Sequence, residues 1–126
     1  EEDVPTEEPV LEVKSAAAGT RLYRGTVRSG QQVSASDGDL VVIGAVNAGA
    51  EVLAAGSIHV YGALRGRALA GIHGNTQAGI YCRELAAELL SVAGNYKRLE
   101  DIDSQLLGHP AEVHFTKEQL EIKPLG

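Results

Sequence analysis

Glycine residues recur in this chain at an interval of about 18 residues. Gly38, Gly56 and Gly74 follow one another at 18 and 18 residues, and two further glycine series keep nearly the same interval. A fixed internal period is typical of a solenoid, in which successive coils of the chain stack on one another. Three interleaved series indicate three corners per coil, since tight turns between short strands often need the positive φ that glycine adopts. We therefore expect an all-β solenoid with about 18 residues per coil.

Short apolar segments bounded by glycine follow the same period. They are three to five residues long and rich in Val, Ile and Leu, which favour strands. Their separation is too short for crossover helices, so strands one coil apart must pair in parallel along the axis of the solenoid. The predicted strands are residues 32–35, 40–43, 51–54, 57–61, 68–70 and 80–83.

The period also predicts which side chains are buried. Because about 18 residues is an even interval, residues one coil apart point to the same side of the sheet. Leu40 is therefore expected above Ile58, and Val42 above Val60, with all four side chains in the interior. Aromatic residues make up only 4% of the chain, so the core must consist mainly of small aliphatic side chains.

The alternate positions of the same strands form an outer column of Val41, Ile43, His59 and Tyr61. This column is more apolar than a fully solvated face requires. One interpretation is a set of scattered surface hydrophobes, which are common in folded proteins. The other is a self-association face, and we take these four residues as the candidate dimer face.

The beginning of the chain differs in composition from the rest. Residues 1–19 combine several acids with Pro5 and Pro9 and offer little to bury. We predict a flexible acidic linker over residues 1–19 and one folded domain over residues 20–126. Such a linker also leads us to expect another domain before it.

Residues 85–93 are compatible with two structures. Leu85, Leu89 and Val92 have helical spacing among good helix formers. Leu90 and Val92 can equally alternate as in a strand. We expect a strand, because stacking on the preceding coil outweighs local propensity.

The end of the chain has the pattern of a β-hairpin. Val113 and Phe115 alternate with polar residues, as do Leu120 and Ile122, and residues 116–119 supply the turn. Phe115 is the only Phe and is expected to cover the open end of the solenoid, which would otherwise present an unpaired edge.

Charge and cysteine content exclude several classes of function. The net charge is −6, from 17 acids and 11 bases, so general binding to a nucleic-acid backbone is unfavourable. No segment reaches the ~18 apolar residues of a membrane span, and no signal peptide is visible. The single cysteine, Cys82, rules out an internal disulfide. We expect a cytoplasmic protein.

Residues with potential for catalysis or metal binding are scattered. His59, His73, His109 and His114 have neither helical i, i+4 spacing nor neighbouring cysteines, so no metal site is expected. Cys82 lies in an apolar segment and is predicted to be a core residue rather than a nucleophile. We therefore predict no catalytic residue, no metal and no cofactor.

Two basic corners are the main candidates for binding. The sequence Arg-Ser-Gly-Gln at residues 28–31 precedes a predicted strand, and Arg65 and Arg67 follow about two coils later. Gly30 and Gly66 belong to one glycine series, so both corners are expected along the same edge. Arginine offers a forked donor set suited to carboxylates, and positive charge on one edge of an acidic protein favours docking of an acidic partner. Alternatively, these arginines only keep the solenoid soluble.

The same residues carry a resemblance to a known family. Val-Arg-Ser-Gly-Gln-Gln at residues 27–32, Gly-Asp-Leu-Val-Val at 38–42, Gly-Ser-Ile-His-Val-Tyr-Gly at 56–62 and Arg-Gly-Arg-Ala-Leu-Ala-Gly at 65–71 resemble the C-terminal domain of the bacterial septum-site inhibitor MinC. The similarity covers about residues 25–125 and follows the order of the family.

The resemblance implies a short right-handed parallel β-helix of triangular section that forms a homodimer. It implies that the corner formed by Arg28, Ser29, Gly30 and Gln31 contacts MinD, a membrane-associated ATPase. It further implies a contribution to antagonising the division polymer FtsZ, and peripheral recruitment to the inner face of the membrane through MinD. Arg65 and Arg67 belong to a family signature and are possible additional contacts on the same edge.

Our leading hypothesis is thus a binding module of a cell-division inhibitor. An enzymatic alternative is a hexapeptide acyltransferase, whose coils also take about 18 residues. Against it, the six-residue spacing breaks at Gly49, and His59 lies within a strand. A structural alternative is a bactofilin-like scaffold that polymerises end to end, against which the expected hairpin cap argues.

Overall fold

The computed structural model describes residues 19–125, so the predicted linker lies outside the described residues except for Gly19. The described chain is nearly all β and forms a solenoid of about four turns with about 19 residues per turn. This confirms the predicted class and the period. In chain order the strands are β1 Arg21–Arg24, β2 Gln32–Ala35, β3 Leu40–Ile43, β4 Glu51–Ala54, β5 Ile58–Leu64, β6 Arg67–Ala70, β7 Gly79–Leu85, β8 Leu89–Val92, β9 Asn95–Arg98, β10 Ala111–Thr116 and β11 Gln119–Pro124. Two 3₁₀ turns cover Leu99–Asp101 and Ser104–Leu106.

These strands form two sheets that enclose the core. Sheet A has the order β1-β3-β5-β7-β10-β11, and sheet B has the order β2-β4-β6-β8-β9. The pairs between successive coils are parallel in both sheets. A third, shorter side of each coil is tied by single parallel bridges that join Val27 to Val46 and Val46 to Leu64. Each coil therefore has three sides, as the three glycine series predict.

The register places like residues above one another in the core. Leu40 pairs directly with Ile58, and Val42 pairs with Val60. Leu40, Val42 and Ile58 are fully buried, and Val60 is 1% exposed. Stacked aliphatic side chains fill the narrow space between the two sheets, and their removal from water is the main favourable contribution to folding. The predicted interior column is confirmed.

Strand boundaries differ from the prediction in β5, β6 and β7, and strands β1 and β9 were not predicted. β7 covers Gly79–Leu85 instead of residues 80–83. β5 continues to Leu64 instead of ending at residue 61, with a register shift between Val60 and Ala63. The continuation arises because Leu64 joins the bridged third side of the coil. β6 begins at Arg67 rather than residue 68, which moves this arginine from the corner into sheet B.

The last part of the solenoid reverses the direction of the chain. Residues 89–92 form strand β8, which confirms a strand rather than a helix in this segment. β9 pairs with β8 antiparallel, and β10 pairs antiparallel with both β7 and β11. The predicted hairpin is therefore present, with its turn at Lys117 and Glu118.

The end of the core is covered by several side chains rather than by one ring. Ile102 is 7% exposed and Leu120 is 3% exposed, and both belong to the core cluster. Phe115 is only partly buried and packs against this cluster. Leu120 pairs with Phe115 across the hairpin, so the two residues share the covering role predicted for Phe115 alone.

Between residues 19 and 125 no helix is long and apolar enough to cross a membrane. Within the same range no group of three or more His, Cys, Asp or Glu side chains is arranged to hold a metal ion.

Candidate functional site

The corner at residues 28–31 is a closed turn on the surface of the solenoid. The backbone N–H of Gln31 donates to the carbonyl of Arg28 at 2.8 Å. In return, the side-chain oxygen Oε1 of Gln31 accepts a hydrogen bond from the backbone N–H of Arg28 at 2.7 Å. All four residues of the corner are exposed, so the corner is accessible to a partner. We call these four residues the RSGQ corner.

The RSGQ corner is fixed to the next coil by backbone hydrogen bonds. Val27, directly before it, is fully buried and bridged to Val46. Gly30 donates its N–H to the carbonyl of Gly49 at 2.9 Å. At the other end of the corner, Glu51 donates its N–H to the carbonyl of Gln31 at 3.0 Å. The turn therefore extends from a hydrogen-bonded scaffold and is not a free loop.

Ser29 occupies a space that exists because residue 49 is glycine. Gly49 has φ +84, a conformation that L side chains rarely adopt. A Cβ at this position would overlap the hydroxyl oxygen of Ser29 and would lie 3.2 Å from its Cβ. The position of the Ser29 side chain thus depends on a residue of the neighbouring coil.

Arg65 lies on the same edge as the RSGQ corner, as expected. Its backbone N–H donates to the carbonyl of Val46 at 2.8 Å, which places it one coil beyond the Val46 bridge. Arg67 pairs with Glu51 in sheet B, so it begins the adjoining sheet and does not extend the corner. Both arginines are exposed.

The edge is not uniformly basic. The carboxylate oxygen Oε1 of Glu88 lies 3.4 Å from the backbone N–H of Gly49, two coils away. The Gly66 residue between them is buried, and a Cβ there would be blocked by the carbonyls of Asn47 and Ala50. The Glu88 side chain therefore passes Gly66, which has no side chain, and reaches the backbone of Gly49.

The predicted dimer face is the outward side of sheet A. Val41 pairs directly with His59, as the period requires. Val41, Ile43 and His59 are half-buried, whereas Tyr61 is 57% exposed. The four residues thus form a mixed apolar and aromatic surface on one side of the solenoid.

Three residues that sequence reasoning did not assign extend this face. Tyr81 stacks on His59, with ring centroids 4.8 Å apart. His114 contacts the other edge of Tyr81 at a centroid distance of 5.5 Å, and its Nε2 lies 2.8 Å from Oε1 of Glu112. Burial, followed by the charges of Glu112 and Asp39, raises the pKa of the Tyr81 hydroxyl. Tyr81 was missed because the preceding loop lengthens its coil, and His114 because it arrives on the reversed hairpin.

The thiol of Cys82 is buried and protonated, so it is a poor nucleophile. Cys82 is 2% exposed and belongs to the core cluster, as predicted. Burial raises the pKa of its thiol to about 11, so the thiol stays protonated at neutral pH. The described surface presents the polar groups of the RSGQ corner and the mixed apolar and aromatic outer face of sheet A.

Comparison with known proteins places the chain in a family. Residues 21–125 match the model of the septum formation inhibitor MinC, C-terminal domain. A probable septum site-determining protein MinC from Xanthomonas campestris pv. campestris strain B100 is 50% identical over 118 residues, which are 94% of this chain and 47% of that protein. The corresponding protein of Aeromonas salmonicida is 51% identical over 116 residues, 90% of this chain and 49% of the relative.

A solved structure agrees with the sequence relatives. A chain of the MinC:MinD cell division protein complex of Aquifex aeolicus superposes with a TM-score of 0.73 and 33% identity. The superposition covers 83% of this chain and 87% of that one. This chain spans about half the length of the curated relatives that it matches. It belongs to the MinC family of septum formation inhibitors, and the part of the family that it matches is the C-terminal domain.

Proposed function

We propose that this chain is the MinD-binding and self-associating module of a septum-placement inhibitor, and that the RSGQ corner is its MinD-binding site. The observation that carries the proposal is the geometry of this corner: three exposed polar residues and a glycine on a turn that backbone hydrogen bonds fix to the next coil. The similarity to a chain from a MinC:MinD complex supports MinD as the partner.

In this proposal Arg28 forms an ion pair with an acidic group of MinD. A guanidinium presents a planar set of donors, which suits a carboxylate. Ser29 donates or accepts a further hydrogen bond beside it. Gly30 has φ +86 and open space where a Cβ would be, so MinD backbone can approach closely at this point.

Self-association adds a second function to the module. We propose that two copies join through the outward face of sheet A, at Val41, Ile43, His59 and Tyr61. A dimer presents two RSGQ corners to a membrane that carries MinD, and the second contact gains from effective concentration. The chain would thus reach the membrane only through MinD, and it would contribute there to antagonism of FtsZ assembly.

The test is recruitment of the chain to lipid vesicles by MinD. With ATP and MinD present, we expect the wild-type chain to sediment with the vesicles and the Arg28→Ala chain to remain in the supernatant. Arg98→Ala is the matched control, since Arg98 is an exposed arginine of β9 whose guanidinium lies over the Tyr96 ring. Unchanged recruitment of the Arg28→Ala chain would contradict the assignment of the corner.

The FtsZ part of the proposal needs a separate measurement. Sedimentation of FtsZ polymers with and without the chain, and with and without MinD, reports antagonism directly. The acyltransferase and scaffold hypotheses rested mainly on coil length, and membership of the MinC family accounts for that length without them.

A further inference from the structure

We propose that Gln31 is a positioning residue: its side chain closes the RSGQ corner onto the backbone of Arg28 and thereby holds the Arg28 side chain in its binding direction. The inference rests on the proposed function of the corner and goes beyond it, because the resemblance implies only that the four residues contact MinD. It assigns Gln31 a further task, which the other three residues do not have.

The argument starts from two hydrogen bonds between the same two residues. The backbone N–H of Gln31 donates to the Arg28 carbonyl at 2.8 Å, and the Arg28 backbone N–H donates to Oε1 of Gln31 at 2.7 Å. The bonds run in opposite directions and enclose the turn. A β-turn needs only the first bond, so the second is an additional restraint on the residue that begins the turn.

The second bond fixes the point from which the Arg28 side chain leaves the solenoid. Val27 is buried and held by its bridge to Val46, and Gly30 is held by Gly49. Among the described contacts of the corner, the Arg28 N–H is restrained by the Gln31 side chain. Loss of Oε1 would leave this N–H to water and loosen the backbone at Arg28, while the rest of the coil would stay in place.

The same bond decides what the corner can offer to a partner. Oε1 of Gln31 accepts the Arg28 N–H, so within the described residues the NH₂ of that amide is the group left for a partner, and it is a donor. The Arg28 guanidinium is also a donor without acceptor capacity. The corner therefore presents mainly donors, and its complement is a surface of carboxylate or carbonyl oxygens.

Two substitutions separate positioning from direct contact. Gln31→Met keeps the length of the side chain and removes the acceptor. Gln31→Glu keeps an acceptor oxygen in the same place and removes the outward donor. Gln32→Met is the matched control, because Gln32 is also exposed and its Nε2 donates to Glu51 at 2.6 Å, away from Arg28.

The first measurement is amide hydrogen exchange at Arg28 by NMR on the chain alone. We expect Gln31→Met to raise the exchange rate of this amide about tenfold, the size expected for loss of one hydrogen bond. Gln31→Glu and Gln32→Met should leave the rate within about twofold of wild type. An unchanged rate in Gln31→Met would overturn the inference.

The second measurement is recruitment by MinD on vesicles with ATP. We expect Gln31→Met to bind about tenfold more weakly and Gln32→Met to bind as wild type. Gln31→Glu is compared only in the exchange measurement, because its added negative charge would repel a carboxylate of the partner. If the Arg28 amide of the Gln31→Met chain still exchanged slowly but the chain no longer bound MinD, Gln31 would be a contact residue and the inference would be wrong. Normal binding together with fast exchange would also refute it.

Failure of the inference is distinguishable from failure of the proposed function. Normal recruitment of Arg28→Ala would remove the binding role of the corner altogether. The exchange rates of the Gln31 variants are measured without MinD, so they decide independently whether the side chain closes the turn.

Discussion

The imidazole of His59 lies flat against the ring of Tyr81, with centroids 4.8 Å apart and ring planes inclined by 11°. His114 then meets Tyr81 edge-on, at an interplanar angle of 74°. The three rings belong to β5, β7 and β10, so they connect the parallel coils with the antiparallel hairpin. The outward side of sheet A is thus continuous across the reversal of the chain, and a second copy could use all of it.

Tyr61→Glu should weaken self-association at least about tenfold, because a carboxylate buried without a partner in a two-fold interface costs more than the ring contributes. Sedimentation velocity over a range of concentrations measures the effect. Tyr96→Glu is the control, since Tyr96 is 55% exposed, close to the 57% of Tyr61, but lies on sheet B. Dissociation by Tyr96→Glu and not by Tyr61→Glu would assign the interface to sheet B.

Gly49→Ala should weaken MinD binding about tenfold although Gly49 lies outside the RSGQ corner. The added methyl group would displace the Ser29 side chain, which lies where that group would be. Vesicle recruitment measures the binding. Gly74→Ala is the control: Gly74 has φ +98, so the substitution strains the backbone similarly, but the added Cβ would have no atom within 4 Å. This variant should lose a similar amount of stability and still bind MinD. Equal binding by both variants would exclude a role for Gly49 in placing Ser29.

Ile58→Ala should lower the free energy of unfolding by about 2–5 kcal/mol, since Ile58 is fully buried between Leu40 and Ile80. The cavity would lie inside the stacked column, where the neighbouring coils restrict collapse. Leu69→Ala is the comparison, because Leu69 is only half-buried in β6 and should cost roughly 1 kcal/mol. Urea denaturation followed by circular dichroism measures both, and equal losses would contradict the assignment of the column as the core.

The thiol of Cys82 should make stability fall in alkaline solution. Burial raises its pKa in the folded chain from 9.0 to about 11. As the pH rises above about 9, the unfolded chain loses the proton first, so unfolding is favoured up to the folded pKa. The loss should be of the order of 2–3 kcal/mol by pH 11.

Replacement of the thiol tests this explanation. Cys82→Val removes the titrating group and keeps an apolar side chain of similar size. Its free energy of unfolding should fall less than that of the wild-type chain between pH 9 and about 11. If the free energies of unfolding of the two chains fell equally with pH, groups other than Cys82 would account for the loss of stability in alkaline solution.

The regular coils could be predicted because their spacing is nearly constant. Asp39 and Ser57 are 18 residues apart and joined by a hydrogen bond, and Gln32 and Glu51 are 19 residues apart. The interval of 18 is even, so parity predicts that Leu40 is above Ile58. The interval of 19 is odd, and Val33 still pairs with Val52 because the corner between the strands takes up the additional residue. The next step, from Ser57 to Gly79, takes 22 residues, because the loop between β6 and β7 adds length without adding a strand. A period cannot predict the length of an irregular loop, so Tyr81 was not assigned to the outer face.

The turn of the hairpin was predicted from alternation rather than from its own residues. Lys117 and Glu118 adopt φ of 50 and 75, although neither is glycine. The strands on either side impose this conformation, which local preference disfavours. The hydrogen bond between the Gln31 side chain and the Arg28 backbone could not be predicted from the sequence either. A side-chain hydrogen bond depends on rotamer and backbone geometry that no spacing pattern encodes.

The antiparallel pairs at the C-terminal end give the molecule two unlike ends. A fibre of stacked copies would need each terminal ladder to match the first ladder of the next copy in direction and register. Here β9 and β10 run against their neighbours, and β11 packs beside β9. Parallel stacking of coils is therefore interrupted at that end, and the proposed pairing of two copies uses the outward side of sheet A instead of extending the rod.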